Sequence, residues 1–530
     1  MELFKLLTAT SAIILPLIFL VILQMSAKKG MSISFIIVLF LSYFVWGMDH
    51  VTISASVIAG TIKAFSIIWI LIGAIFLLNI LRVSGAIDTI ITTFKRLTGD
   101  KRLHIIIIGF FFIGLLEGAS GFGAPAAIAG PLLVVLGFTP VAAASLSLLG
   151  NAVPMTFGAV GTPLIDGMGA ALKTSEGIDG GVYQLIREVA ISASFVDIFI
   201  GSLIPAVQVL LLTTIFTKKT QRSLRYSLEI LPFAILSGLI YTSLAYLSTI
   251  LLGPEFGALL GALLGLVIIM MLIKVRFLLP KETNTLTNEQ DVKALKDNIK
   301  AWVPYVLIVI FLVLTRVVKP LKEFLLQLSI SFKQILGTEI ESKFKLFYSP
   351  GFVLLFTAVL MILLFKLRRK EVQAAFSNTM SSAKKTTFAL VPALAMVYIF
   401  LNSHYNTAGF DGMPLFLANR LSQAFGDYWI YVAPYIGNLG TFIAGSSTTS
   451  NIMFSQIQYQ VAVQNNMDIL KVLTAQAIGA NTGCMISVSK VVSACAVVGL
   501  TGKESKVLRV TIGISLIYAL LIGIIVNILL

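Results

Sequence analysis

The chain has 530 residues, 57% of them hydrophobic and 12% charged, with a mean hydropathy of +0.96. So little polar surface excludes a soluble globule, and repeated apolar runs of about 20 residues mark an all-α polytopic membrane protein. The formal net charge of +15 does not point to nucleic acid, because Lys and Arg gather in short loops between apolar runs, the positive-inside pattern.

In chain order, spans are expected at about 4–26, ending at the cytoplasmic pair Lys28-Lys29, then at 31–48 and 64–82, the last flanked by Lys63 and Arg82. Glu2 and Lys5 precede a long apolar run without an A-x-A-like cleavage site, so the first span reads as a retained helix. The basic loop F-K-R-L-T-G-D-K-R (94–102) leads into a fourth span that ends at Glu117. From Glu117 to Pro163 the chain stays apolar, yet Gly118, Gly121, Gly123, Pro125, Gly130, Pro131, Gly137 and Pro140 each weaken or interrupt a helical ladder. Broken backbone at membrane depth is tolerated only where it is buried in protein or lines a watery cavity. A re-entrant hairpin is therefore expected, followed by a helix from Thr139-Pro140 that breaks at Asn151-Ala-Val-Pro154.

Residues 166–188 read as an external loop or surface helix, 189–216 as a span and K-K-T-Q-R-S-L-R (218–225) as a cytoplasmic loop. A helical pair is expected at 230–252 and 256–275, the second member carrying Gly257, Gly261 and Gly265 on one face for close packing within the chain. The hydrophilic stretch from 279 divides the chain into a membrane half 1–278, a linker 279–300 and a membrane half 301–530. The second half reads as spans at 301–318 and 351–366 around an amphipathic stretch, a basic loop reaching Lys384-Lys385, an apolar run at 387–401 and a polar external segment. A span at 428–443 enters G-S-S-T-T-S-N (445–451) and a polar hairpin; the next apolar segment breaks at G-A-N-T-G-C-M-I-S (479–487), and a last helix covers 508–529. The broken elements are thus 117–163 and 444–487. The helix before Glu117 starts beside Lys101-Arg102, inside, whereas the helix before Gly445 starts beside Gly426-Asp427, outside. Entry from opposite faces predicts inverted-topology repeats with two re-entrant helical hairpins and about 12 transmembrane helices.

Several side chains carry candidate chemistry. Glu117 is an ionisable group in an apolar run and suits a proton carrier; a helix-end carboxylate satisfied by hairpin N–H groups is the plainer alternative. Ser446, Ser447, Thr448, Thr449, Ser450 and Asn451 surround a helix break, where a half-helix N-terminus favours a carboxylate and the hydroxyls suit a cation such as Na+; as small residues they also suit helix packing. Asn151 and Thr156 mark the matching break in the first half, Asn481 and Thr482 the one in the second. Lys490 reads either as counter-ion to an anion or as a snorkelling side chain, and Asp197 as a second proton-titrating group or a paired one. Gly118, Ser120, Gly121 and Gly123 complete the expected binding backbone. Cys484 and Cys495 offer neither a disulfide framework nor a metal site, and no cofactor is expected. G-F-G-A-P-A lacks a preceding strand and G-L-T-G-K-E lacks Walker spacing, so direct ATP coupling is not expected.

E-G-A-S-G-F-G-A-P-A-A-I, L-L-V-V-L-G-F-T-P, N-A-V-P-M-T-F-G-A-V-G-T-P and A-C-A-V-V-G-L-T-G-K-E-S resemble the L-lactate permease family over most of the chain. The positions coinciding with that pattern are Glu117, Gly118, Gly121, Phe122, Gly123, Pro125, Asn151, Pro154, Gly158, Gly161, Gly445, Ser446, Thr448, Ser450, Asn451 and Gly483. Two depart from it: Ser447 stands where the pattern has Asp, and Cys484 where it has Lys, with Lys490 six positions later. The resemblance implies a plasma-membrane permease for L-lactate, D-lactate or glycolate in symport with protons. It also implies inverted repeats with re-entrant hairpins and, by analogy with related carriers, a homodimer. The expectation is a monocarboxylate:proton symporter and not an enzyme, with Na+ coupling or an anion channel as alternatives.

Overall fold

The computed structural model describes residues 2–86, 89, 98–120, 124–172, 181–217, 224–280 and 299–530. Gly121, Phe122 and Gly123, residues 94–97 and 218–223 of the basic loops, and residues 281–298 of the linker lie outside the described residues.

The first half contributes α1 (Glu2–Ile22), α2 (Ala27–Phe44), α3 (His50–Val83), α4 (Lys101–Ala119), α5 (Ala124–Val135), α6 (Pro140–Gly150), α7 (163–172), α8 (Val182–Phe199), α9 (Ile204–Thr214), the short α10 (Leu224–Leu228), α11 (Leu231–Leu252) and α12 (Gly257–Lys274). The second contributes α13 (Ile299–Val317), α14 (Lys319–Gln327), an antiparallel pair of strands β1 (Ile330–Phe332) and β2 (Ser342–Phe344), α15 (Pro350–Leu364), α16 (Arg369–Leu401), α17 (Met413–Phe425), α18 (Trp429–Ala444), α19 (Ser447–Gln464), α20 (Ile469–Thr482), α21 (Val488–Val497) and α22 (Glu504–Leu529). Among the described residues nine helices are long and apolar enough to cross a membrane, or eleven if each of two bent pairs is one span.

Burial sorts these helices. All of 472–497 and nearly all of α4 are buried, whereas α1, α2 and α22 bury a minority of their residues and turn apolar side chains outward, as a lipid-facing shell does. α3 packs against α15 and α16, so the first half reaches into the second. The contact is close because Gly60 lies against the backbone of Leu394 and Ala395, and Gly73 against that of Gly351. Gly257, Gly261 and Gly265 also serve packing within the chain, against Phe157, Tyr241 and Phe111 respectively. At the opposite end from the β-hairpin the buried carboxylate of Glu504 accepts the N–H groups of Ala27 at 3.1 Å and Gly502 at 2.7 Å, tying the start of α2 to that of α22.

Four boundaries differ from the sequence expectation. α3 begins at His50 and not near 64: Asp49 caps it, accepting the Thr52 N–H at 2.6 Å, and its 34 residues extend about 51 Å, so Lys63 is interior rather than flanking. Residues 163–172 form a helix buried against α19, not part of a surface loop; only Asp166 and Ala170 there are exposed. α16 runs unbroken from Arg369 through Lys384-Lys385, which lie on a helix instead of in a loop. α19 is continuous from Ser447 to Gln464, so non-helical backbone is confined to Gly445-Ser446 and no polar hairpin follows. Its polar side chains are satisfied by neighbours: Gln458 accepts the Trp429 Nε1–H at 2.7 Å and donates to Ala433 O at 3.2 Å and Gln476 Oε1 at 2.8 Å.

α4 widens at Ile107–Phe112, which releases backbone carbonyls from the regular ladder. The fully buried Gln208 restores one, its Nε2 donating to Gly109 O and to Leu146 O, each at 2.8 Å, and so joining α4, α6 and α9. Gln208→Leu keeps the volume but strands the Gly109 carbonyl; the expected loss is about 2 kcal/mol of stability. A fall in melting temperature of the detergent-solubilised protein checks it, and an unshifted transition would count against this role.

Candidate functional site

Two interruptions meet in the interior. In the first half α6 ends at Gly150 and continues as single turns, Pro154–Thr156 and Ala159–Gly161, bent by 52°. Gly158 (φ +49°) and Val160 (φ +53°) occupy the left-handed region; for a β-branched valine that conformation is strained, as at many functional sites. In the second half α18 stops before Gly445 (φ +73°) and Ser446 caps α19, its Oγ accepting the Thr449 N–H at 3.3 Å. A matching break separates α20 from α21 at Gly483–Met485.

Polar contacts join the breaks. Ser447 Oγ donates to Met155 O at 3.5 Å, Asn451 Nδ2 to Pro163 O at 2.9 Å, and Asn481 Nδ2 to Thr156 Oγ1. Thr156 Oγ1 in turn donates to Asp197 Oδ2 at 3.1 Å. Cys484 Sγ lies 3.8 Å from Leu148 O.

Between the breaks is a cavity of about 160 Å³, roughly ten times what one water needs. Its inner wall is formed by Glu117, Met155, Gly158, Gly445, Ser446, Ser447, Thr448 and Lys490. Glu117, 2% exposed at the end of α4, lies near the Asn151 side chain, and among the described residues its Oε2 has no partner. Lys490, 6% exposed in the first turn of α21, places Nζ 3.0 Å from Met155 Sδ and within electrostatic range of Glu117, with no ion pair among the described residues. Lys490 is thus buried and does not snorkel. A buried ammonium needs an anion, the more so beside the positive end of a helix dipole.

The remaining expected site residues divide. Gly118 packs on the Leu259 backbone, away from the cavity. Thr449 follows the tip without lining the cavity. Ser450 donates to Gly437 O at 2.7 Å and Thr482 to Gly479 O at 2.8 Å, so their hydroxyls hold the framework together. Asn151, Thr156, Asn481 and Asp197 form a buried layer behind the wall, with Oδ1 of Asn151, Asn481 and Asp197 unpartnered among the described residues. The buried Tyr518 and Tyr241 lie within electrostatic range of Asp197, and Tyr241 within that of Glu117. Of Ser120 only the backbone is described, at the end of α4's last turn; Gly121 and Gly123 lie outside the described residues. The outer wall was not anticipated: Lys63, Ser66, Ile67 and Ile70 from α3, and Lys343, Lys345, Tyr348 and Ser349 after β1. The i, i+3, i+4, i+7 spacing of the α3 set is the signal that could have revealed one helical face.

The family model for L-lactate permease matches residues 5–530. The chain belongs to the L-lactate permease family. An L-lactate permease of Bacillus subtilis is 30% identical over 500 residues, covering 86% of this chain and 83% of its own length. A protein of Haemophilus influenzae described as a putative L-lactate permease is 29% identical over 495 residues, covering 89% and 88%. A glycolate permease of Escherichia coli is 29% identical over 559 residues, covering 97% and 94%. Family membership and the apolar helices together make this a multi-pass protein of the cell membrane.

Proposed function

We propose that this chain carries a small monocarboxylate, lactate or glycolate, into the cell in symport with protons. The observation that carries the reading is the juxtaposition of Lys490 and Glu117 in one cavity, the first needing an anion and the second offering a carboxyl with one free oxygen. In this reading the substrate carboxylate sits against Lys490 Nζ and the N-terminus of α19, with the hydroxyls of Ser446, Ser447 and Thr448 as further donors. Glu117 carries the proton, and Asp197, tied to the cavity wall through Thr156, is a second proton site. Cys484 lies within electrostatic range of Lys490, so a lysine at 484 in the family pattern and the lysine at 490 here serve the same region.

The same reading takes α4–α5 and α18–α19 as re-entrant hairpins of two inverted repeats. In support, Lys101 Nζ at the start of α4 donates to Gly137 O just beyond α5 at 2.5 Å, so that segment returns to the face it entered. Trp429 at the start of α18 reaches Gln458 far along α19 in the same manner. The cavity is lined by the exposed Lys343 and Lys345 beside β2, which meets α3 near Ala59, far along the helix from Arg82 at its cytoplasmic end, and this reading takes the arrangement as outward-open.

Proteoliposomes with imposed gradients test the proposal. An inward proton gradient alone should drive uphill uptake of labelled L-lactate; uptake that follows an Na+ gradient instead, or only downhill flux, supports the sodium-coupled or channel alternatives. Gly445 supplies a further check: its φ is positive and a Cβ would collide with Ser489 Oγ. Gly445→Ala is therefore expected to lower lactate uptake about tenfold at equal membrane abundance, because the tip of α18–α19 must shift. Wild-type uptake in that variant would show that the tip geometry is unimportant.

A further inference from the structure

The cavity holds more positive charge than one carboxylate requires. Lys490 is at its inner end, while Lys63, Lys343 and Lys345 line its outer part, and Glu117 is the only carboxyl among its described lining residues. Lys63 is half-buried in the middle of α3, one turn from Ser66 and Ile67, and it lines the cavity together with the α18–α19 tip. Lys343 and Lys345 are exposed on and just after β2, which is held to α3 where Ser342 Oγ donates to Ala59 O at 3.4 Å. Lys345 is close enough to Lys63 for their charges to interact. Among the described residues neither Lys63 nor Lys343 forms an ion pair. Like charges gathered along one wall of a cavity repel one another, and the arrangement is eased when an anion enters.

We propose that Lys63 is an outer carboxylate subsite: the incoming anion is drawn in by Lys343 and Lys345, pauses on Lys63 with Ser66 beside it, and is then passed inward to Lys490. This rests on the transport reading above and adds a specificity-determining residue to it. Two cationic stations along one path give an anion a graded descent without a single deep well, which suits a site that must also release its cargo. A neutral solute of the same size gains nothing at the outer station, so selection for charge starts before the inner site is reached.

The test uses full-length protein in proteoliposomes with labelled L-lactate, comparing wild type, Lys63→Gln, Lys63→Arg and the double variant Lys343→Gln/Lys345→Gln at matched incorporation. Lys63→Gln is expected to raise the KM for lactate about tenfold with the maximal rate little changed, the loss expected for one charge-assisted contact. Lys63→Arg should restore most of the affinity, which a purely structural defect would not allow. The double variant should flatten the decline of low-concentration uptake with ionic strength seen in wild type, since exposed charges act through screened attraction. An unchanged KM in Lys63→Gln, or a KM raised equally in Lys63→Arg, overturns the inference while leaving the transport reading intact. Absence of lactate uptake by wild type overturns the transport reading itself.

Discussion

Glu117→Gln is expected to abolish uphill accumulation of lactate driven by a pH gradient while leaving lactate–lactate exchange partly intact. The substitution is nearly isosteric, so the end of α4 retains its place beside Asn151. What disappears is the exchangeable proton. A carrier whose cavity still closes over lactate can swap one substrate for another, but without a protonatable group at this position it cannot couple that movement to proton flow. Accumulation ratios in proteoliposomes should fall to about one, and counterflow should persist within about tenfold of wild type. Unaltered pH-driven uptake would remove Glu117 from the coupling role. Asp197, behind Thr156, would then be the remaining buried carboxyl tied to the cavity wall.

Lys490→Gln should have the largest effect on affinity. Its ammonium is enclosed by protein, with the Met155 sulfur at 3.0 Å as its near neighbour. Removing a charge-assisted contact in so dry a place raises the lactate KM by about 100-fold. The same change takes away the positive charge that Glu117 senses, so the pH dependence of transport should move as well as the KM. A variant with unchanged KM and pH profile would mean that Lys490 balances Glu117 structurally and does not meet substrate. The effect should exceed that of Lys63→Gln, because Lys63 is half-buried and its contacts are screened by water.

The interior breaks were legible in the sequence because glycine and proline act locally. Pro154, Gly158 and Gly445 interrupt helices where their own geometry predicts it, and two of them take positive φ. Glu117 and Lys490 stood out for a similar reason, being charges in apolar surroundings. Other features depended on contacts made by distant segments. The Ser- and Gln-rich stretch after Gly445 looked too polar for an embedded helix, yet Trp429, Ala433 and Gln476 satisfy Gln458 and make α19 possible. The start of the glycine-containing stretch read as an external loop or surface helix is buried because Gly167 lets the α19 backbone approach near Thr448. Charge usually marks a span boundary, yet the helices continue through both Lys63 and Lys384. A polar cavity wall can keep such a side chain inside a long helix, and no local rule announces which neighbour will supply that wall.

One cavity, between Lys490 and the Gly445-Ser446 tip, is the proposed seat of the acid. A density map of the purified protein with saturating L-lactate measures this directly. The expected result is a carboxylate within hydrogen-bond distance of Lys490 Nζ and the first N–H groups of α19, with Glu117 alongside. A map in which lactate binds elsewhere, while this cavity holds only water, would contradict it.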